Sequence, residues 1–159
     1  MSRDIVRIAF LIAPLNDLDI FSCDKGNEYL NAKCRDKIWT ESGTEFGNEK
    51  GMVTIIAISL HGIKSSGAAW RATLAENLMS LGYKSSDADA DVWTKRDFKP
   101  NGYPYYKYML CYVADLLHIC FKPKEDMDAL NIIYRLKEGF GSPDQYLGKN
   151  VEKVQFKDV

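Results

Sequence analysis

Apolar positions near the start of the chain recur at helical spacing: Ile5, Ile8, Ile12 and Leu15 follow Ser2, whose hydroxyl suits a helix N-cap. Pro14 is expected to kink or end that helix. Asp19 to Asp24 then reads as a short strand around Ile20-Phe21-Ser22-Cys23, broken by Gly26 and Asn27 before a brief segment from Glu28 to Ala32. Lys37 to Glu41 suggests an edge strand, and Ser42 to Gly51, rich in Gly, Glu and Asn, an exposed loop. Met52 to Leu60 is nearly continuously apolar and partly β-branched, the pattern of a strand buried on both faces.

The period lengthens again after Ser66, a plausible N-cap for a helix with Trp70, Leu74, Leu78 and Leu81 on one face and Gly82 as its stop. Val92 to Lys95 reads as a short strand, and Pro100-Asn101-Gly102 as a turn. The aromatic and apolar run from Tyr106 to Phe121, split at Ala114-Asp115, predicts a β-hairpin. Pro123 opens a helix with Met127, Leu130, Ile133 and Tyr134 on one side and Gly139 as its end, and Tyr146 to Phe156 reads as a strand. This order predicts an α+β fold, with helices packed on one face of an antiparallel sheet. The acidic ends of the first strand and of the hairpin then approach each other.

With 159 residues, 46% of them hydrophobic, the chain is the size of one domain with a sizeable core. Its net charge of −1 carries no global basic signal, so a nucleic-acid partner would be held by local patches. Cys23, Cys34, Cys111 and Cys120 form no CxxC pair and His61 and His118 are the only histidines, which argues against a structural zinc site and for reduced, mostly buried thiols. Arg3, Asp4 and Arg7 interrupt the first apolar turn, unlike a secretory signal, and no segment approaches the roughly 20 apolar residues that span a bilayer. The expectation is an intracellular protein without a membrane partner, with no signal separating cytoplasm from nucleus.

Within the run from Tyr106 to Phe121, Asp115 is the only acidic residue. An ionised carboxylate in such surroundings needs a turn, hydrogen bonds or a cation. Its string Tyr112-Val113-Ala114-Asp115-Leu116-Leu117 resembles the Tyr-X-Asp-Asp hairpin of reverse transcriptases, with alanine at the first aspartate. Leu60-His61-Gly62-Ile63-Lys64-Ser65-Ser66-Gly67-Ala68-Ala69-Trp70 resembles a second block of the copia-type retrotransposon reverse transcriptases. Upstream, Cys23-Asp24-Lys25-Gly26-Asn27-Glu28-Tyr29-Leu30-Asn31-Ala32 is similar to a third. Gly82-Tyr83, Ala88-Asp89 and Tyr146-Leu147-Gly148 follow in family order, so the resemblance runs from about Ser2 to about Lys153.

That resemblance implies a polymerase palm, an antiparallel sheet of about four strands backed by two helices on a ferredoxin-like core, with part of the fingers. It implies one domain over residues 1–159, without N-terminal fingers, thumb or ribonuclease H regions. In two-metal nucleotidyl transfer, cations about 4 Å apart are held by carboxylates from separate strands, and the resemblance assigns these roles to Asp24 and Asp115, with Mg2+ or Mn2+ as the cofactor. It sets the backbone amides of Lys25 and Gly26 against a triphosphate. Tyr29 becomes the ring that rejects a ribose 2′-hydroxyl, and His61, Gly62 and Lys64 border the incoming nucleotide. Tyr112, Val113, Leu147 and Gly148 lie near the primer end. The implied partners are an RNA or DNA template with a DNA primer, deoxynucleoside triphosphates, and other parts of a Pol polyprotein.

Several residues depart from the pattern. Ala114 supplies no oxygen ligand where the family has an aspartate, so metal binding is expected to be weak or absent and polymerisation impaired. Glu28 stands where a small alanine is expected and adds negative charge beside the predicted triphosphate. Ser65, Gly67, His61 and Pro14 also differ from the family. The alternative function is a non-catalytic nucleic-acid-binding module, a retroelement-derived remnant on the same fold. Elsewhere, Asp87, Asp89 and Asp91 resemble a calcium loop only superficially, because Val92 and Phe98 occupy positions that need glycine and a carboxylate. His118 and Cys120 alternate on an apolar strand, a pair that suits packing better than metal ligation, and most of Tyr103, Tyr105, Tyr106 and Tyr108 belong on a sheet surface rather than stacked on bases.

Overall fold

The computed structural model describes residues 2–134 and 137–154. The chain divides into two compact units, one formed by Met1–Gly26 with Gly82–Val159 and the other by Asn27–Leu81.

The first unit opens with helix α1, Arg3–Leu15. Ser2 caps it by accepting from the Ile5 amide, and Pro14 falls in its last turn, where the missing N–H and the ring end it. Strand β1, Asp19–Asp24, follows. After the second unit come β4 Lys84–Ser85, β5 Val92–Phe98, β6 Pro104–Tyr112 and β7 Asp115–Cys120. Helix α3, Pro123–Tyr134, leads to β8 Lys137–Gly141, β9 Gln145–Tyr146 and β10 Lys149–Asn150. Six of these strands form one sheet in the order β4-β5-β6-β7-β1-β8, and every pairing in it is antiparallel. The fold class is therefore α+β with an antiparallel sheet, as the element order predicts, but with six strands rather than four.

The helices do not share one face of the sheet. Ala9 and Ala13 of α1 sit in a core cluster with Leu110, Leu117 and Ile119, whereas Asp126 of α3 reaches His118 and Lys107, which alternate with those residues and point to the opposite side. β7 explains the arrangement, since Leu116 to Cys120 are all buried and a strand apolar on both faces needs cover on both. Of the periodic set in α1, Ile8 and Leu15 are exposed, while the alanines approach the sheet.

Three further readings are corrected. α3 finishes at Tyr134, and Gly139 lies inside β8 instead of stopping the helix. The predicted strand from Tyr146 to Phe156 is the β9–β10 hairpin followed by irregular chain through residue 154, and Phe156 lies outside the described residues. β5 also runs on to Phe98, three residues past its predicted end, because Pro104 to Tyr112 pairs along its whole length.

The second unit contains a 3-10 turn at Glu28–Asn31, strand β2 Trp39–Glu41, a second 3-10 segment Thr44–Glu49, strand β3 Val53–Ile55 and helix α2 Ser66–Ser80. β2 and β3 form a two-stranded antiparallel pair. The prediction that Met52 to Leu60 is buried on both faces fails: only Val53–Ile55 is strand, and Met52, Val53, Ile55, Ile58 and Leu60 are exposed. A two-stranded ribbon has no further strand or layer to cover it. α2 buries Trp70, Leu74 and Leu78 as predicted, and Gly82 beyond it has φ +86°, the left-handed conformation of a helix stop. Its N-cap position is Ser65; the Ser66 hydroxyl instead donates to the Leu60 carbonyl at 2.7 Å. Among the described residues no helix is long and apolar enough to cross a membrane.

Candidate functional site

β1 and β7 end together at a carboxylate pair. Asp24 and Asp115 are direct cross-strand partners at the close of an uninterrupted antiparallel register, so both side chains project from the same face, the one that carries Leu117 and Ile119. Like charges directly opposite each other destabilise a strand pair unless something offsets them. The Asp115 carboxyl is accordingly held above its ordinary value, first by burial and then by the charge of Asp24. Burial, Asp24 and Asp115 together push the neighbouring Cys23 thiol up to about 12, so Cys23 is an inert buried thiol. The other three cysteines are likewise outside any disulfide.

The turn joining β6 to β7 is as tight as a hairpin allows, with Tyr112 paired to Asp115 and only Val113 and Ala114 between them. Val113 has φ +53°, a conformation that β-branched residues rarely adopt, and its side chain is exposed. Val113→Gly is expected to stabilise the protein by about 1 kcal/mol, because relief of a strained φ outweighs glycine's extra unfolded-state entropy. Urea unfolding of the two proteins measures it, and a loss of stability on substitution would show that the turn is not strained. Ala114 offers only its carbonyl, which accepts from the Lys25 amide at 3.0 Å.

Of the two amides assigned to a triphosphate, Lys25's is already committed to closing the β1 end against the hairpin turn. The Lys25 side chain is buried, and its ammonium donates to the Gly26 carbonyl at 3.4 Å. Leu147 and Gly148 form the turn of the β9–β10 hairpin with φ +48° and +70°, the mirror-image geometry suited to a two-residue loop, and both are exposed. Tyr112 is exposed beside the acidic pair.

In the second unit, the Tyr29 and His61 rings lie 4.7 Å apart, and His61 Nε2 stands 3.7 Å from the buried Glu28 carboxylate. The glutamate that sequence marks as misplaced is thus packed inward against His61. Gly62, with φ +91°, and Lys64 are exposed on the following loop.

A second polar cluster escaped the sequence reading. On the α3 face of the sheet, Asp126 Oδ2 accepts from the Tyr83 hydroxyl at 2.9 Å and from Lys107 Nζ at 2.9 Å, and lies 3.3 Å from His118 Nε2. Tyr83 Oη is also 2.8 Å from that ring nitrogen, and Lys107 reaches Asp97 at 3.0 Å. Burial lowers the His118 pKa to about 4, so the ring is neutral. Potential ligand atoms of His118, Cys120 and Asp126 lie within 4.8 Å of one another. They do not fit a metal, because the Lys107 ammonium occupies the oxygen a dication would use and like charges at that range repel strongly. The cluster is a closed hydrogen-bonded network. Its signal in the sequence was the pairing of His118 and Lys107 on inward positions of an apolar hairpin, where each needs an acidic partner.

The carboxylate pair does fit a cation in part. Two oxygens from adjacent strands suit a hard ion such as Mg2+, which keeps several of its own waters. A second ion would lack the side-chain ligand that Ala114 cannot give. Comparison with protein-family models, curated proteins and solved structures gave no match to this chain.

Proposed function

We propose that this chain is a palm-like domain of the copia-type reverse-transcriptase kind whose cation site has lost one ligand, so that it holds at most one divalent ion and does not polymerise. The observation that carries this reading is the cross-strand pair Asp24–Asp115 beside a hairpin turn that presents Ala114. Divalent ions would supply activation of a primer hydroxyl and neutralisation of a leaving pyrophosphate. The chain's own contribution is to hold two carboxylates rigidly at paired strand ends, with Tyr112 exposed beside them and the Leu147-Gly148 turn on its own hairpin. The resemblance of the ordered blocks supports the lineage, with template, primer and deoxynucleoside triphosphates as the implied partners. Mg2+ or Mn2+ binding is weak in this reading.

A purified sample given an RNA template, a DNA primer and Mg2+ or Mn2+ is expected to show no primer extension. Sustained incorporation by the unaltered chain overturns the proposal. A gain of incorporation in Ala114→Asp identifies the missing carboxylate as the defect.

A second reading, nucleic-acid binding without catalysis, is favoured by one observation. Phe98, Tyr103 and Tyr106 are exposed on or beside β5 and β6, with the Arg96 guanidinium 5.7 Å over the Phe98 ring. Aromatic faces with a nearby cation suit stacked single-stranded bases. Affinity for a single strand that falls steeply with salt supports it, and a flat response removes it.

A further inference from the structure

Helix α1 is apolar on two sides. Ala9 and Ala13 meet the core, whereas Ile8, Leu11 and Leu15 are 54%, 61% and 80% exposed. Their spacing along the helix makes them one stripe rather than scattered surface residues. Beside that stripe the helix and the sheet leave an open groove of about 140 Å3, walled by Ile5, Ile8 and Ile12 and floored by Val92, Tyr108 and Leu110. An aliphatic cavity of this size stays dry and accepts a group the size of benzene, so it has room for one leucine side chain. A contiguous apolar stripe next to an apolar groove marks a contact surface.

The charges at the two ends of the stripe select its occupant. Arg3, Asp4 and Arg7 give the first turns of α1 two positive charges against one negative, and Asp4 is answered on its own helix by Arg7 at 3.4 Å. At the other end Asp17 and Asp19 are exposed, with Lys99 3.8 Å from Asp17, two negative charges against one positive. The helix dipole has the same sense. A second copy of α1 laid antiparallel on the first sets each positive end against a negative one, whereas a parallel pair opposes like ends. A two-fold axis near Leu11 then puts Leu15 of each copy opposite Ile8 of the other, at the mouth of its groove. We propose that the protein self-associates as a two-fold dimer through α1, with Leu15 of each copy seated in the groove of the other. The stripe and the groove offer roughly 400 Å2 a side against about 800 Å2 for a stable complex, so the dimer is weak and exchanges with monomer. The proposal goes beyond the functional reading above and does not depend on it.

Sedimentation velocity over roughly 5–500 μM, the range in which so small an interface dissociates, tests it in wild type, Leu15→Asp, Arg7→Glu, Asp19→Lys and the Arg7→Glu/Asp19→Lys pair. Circular dichroism of each variant checks that it folds. The wild type should pass from monomer to dimer and no further. Leu15→Asp, at a site open to solvent in the monomer, should keep its helix content and weaken association by at least roughly 10-fold. Each single charge reversal sets like charges together twice in the dimer and should weaken it about 3- to 10-fold, and the pair should restore it. A wild type that stays monomeric throughout overturns the inference. So does association untouched by Leu15→Asp, or abolished instead by Val53→Asp, which would place the contact on the exposed β2–β3 ribbon. Mass rising past two copies rules out two-fold closure, and a double reversal no tighter than the singles rules out the antiparallel arrangement. Either result also overturns the proposal.

Discussion

Asp126→Ala is expected to destabilise the protein by about 3–5 kcal/mol, the range for removing one partner of a buried ion pair. Asp126 Oδ2 is the point on which Lys107, Tyr83 and His118 converge. Removing it leaves the Lys107 ammonium, whose side chain is 10% exposed, with Asp97 as its remaining carboxylate. It also strips the acceptor from a buried phenol. Asp97 is the internal control. Its side chain is 38% exposed against 17% for Asp126, so water screens its pairing and Asp97→Ala should cost only about 0.5–1 kcal/mol. Urea unfolding of both variants decides the matter. If the Asp97 variant proves as unstable as the Asp126 variant, the network is not centred where the geometry puts it.

The second large effect is a loss of stability in mild acid. His118 takes up a proton near its ordinary value of 6.5 in the unfolded chain but only near 4 in the folded protein, because it is fully buried. Between those limits the unfolded state binds more protons, so stability falls as pH drops from about 6.5 to about 4 and is unaffected by this group above 6.5. The span corresponds to a loss on the order of 3 kcal/mol. The groups facing the ring do not cancel it. Asp126 and Asp97, both held below the usual carboxylate range, lose their contributions only at still lower pH. Asp115 acts in the opposite sense, gaining stability as its raised carboxyl protonates, and an Asp115→Asn background removes that contribution. Urea midpoints measured from pH 8 to pH 4 should bend near 6.5, and His118→Gln should flatten the curve. An unchanged midpoint from pH 7 to pH 4.5 in wild type would refute a neutral buried imidazole.

The elements that sequence made legible are those with one strong local signal. Ser2 before α1, Pro123 at the start of α3, Gly82 after α2 and the aromatic run around Ala114 each carry a cap, a breaker or a turn that acts within a few residues. The juxtaposition of Asp24 and Asp115 followed from two strands that both end in acid. What sequence could not show depends on partners far along the chain. Met52 to Leu60 has the composition of a central strand, yet composition does not provide the neighbours that bury one. α1 is apolar on several sides, so periodicity alone did not single out Ala9 and Ala13 as the residues small enough to let the helix approach the sheet. Asp126 looked like any acidic residue in the first turn of a helix, where a carboxylate is favoured by the backbone dipole alone. Only the folded chain shows it reaching Lys107.

The pairing of β1 with β7 also bears on how the chain is made. Its paired residues, Asp19 with Cys120 through Asp24 with Asp115, are separated by the whole second unit and three further strands. A ribosome adding about 5–20 residues per second would release β1 roughly 5–20 s before its partner exists. Through that interval Ile20, Phe21 and Cys23 remain an apolar strand with both edges open, and closing so long a loop is slow once the partner arrives. Until the hairpin emerges, those few residues are an open strand edge that another chain could pair with.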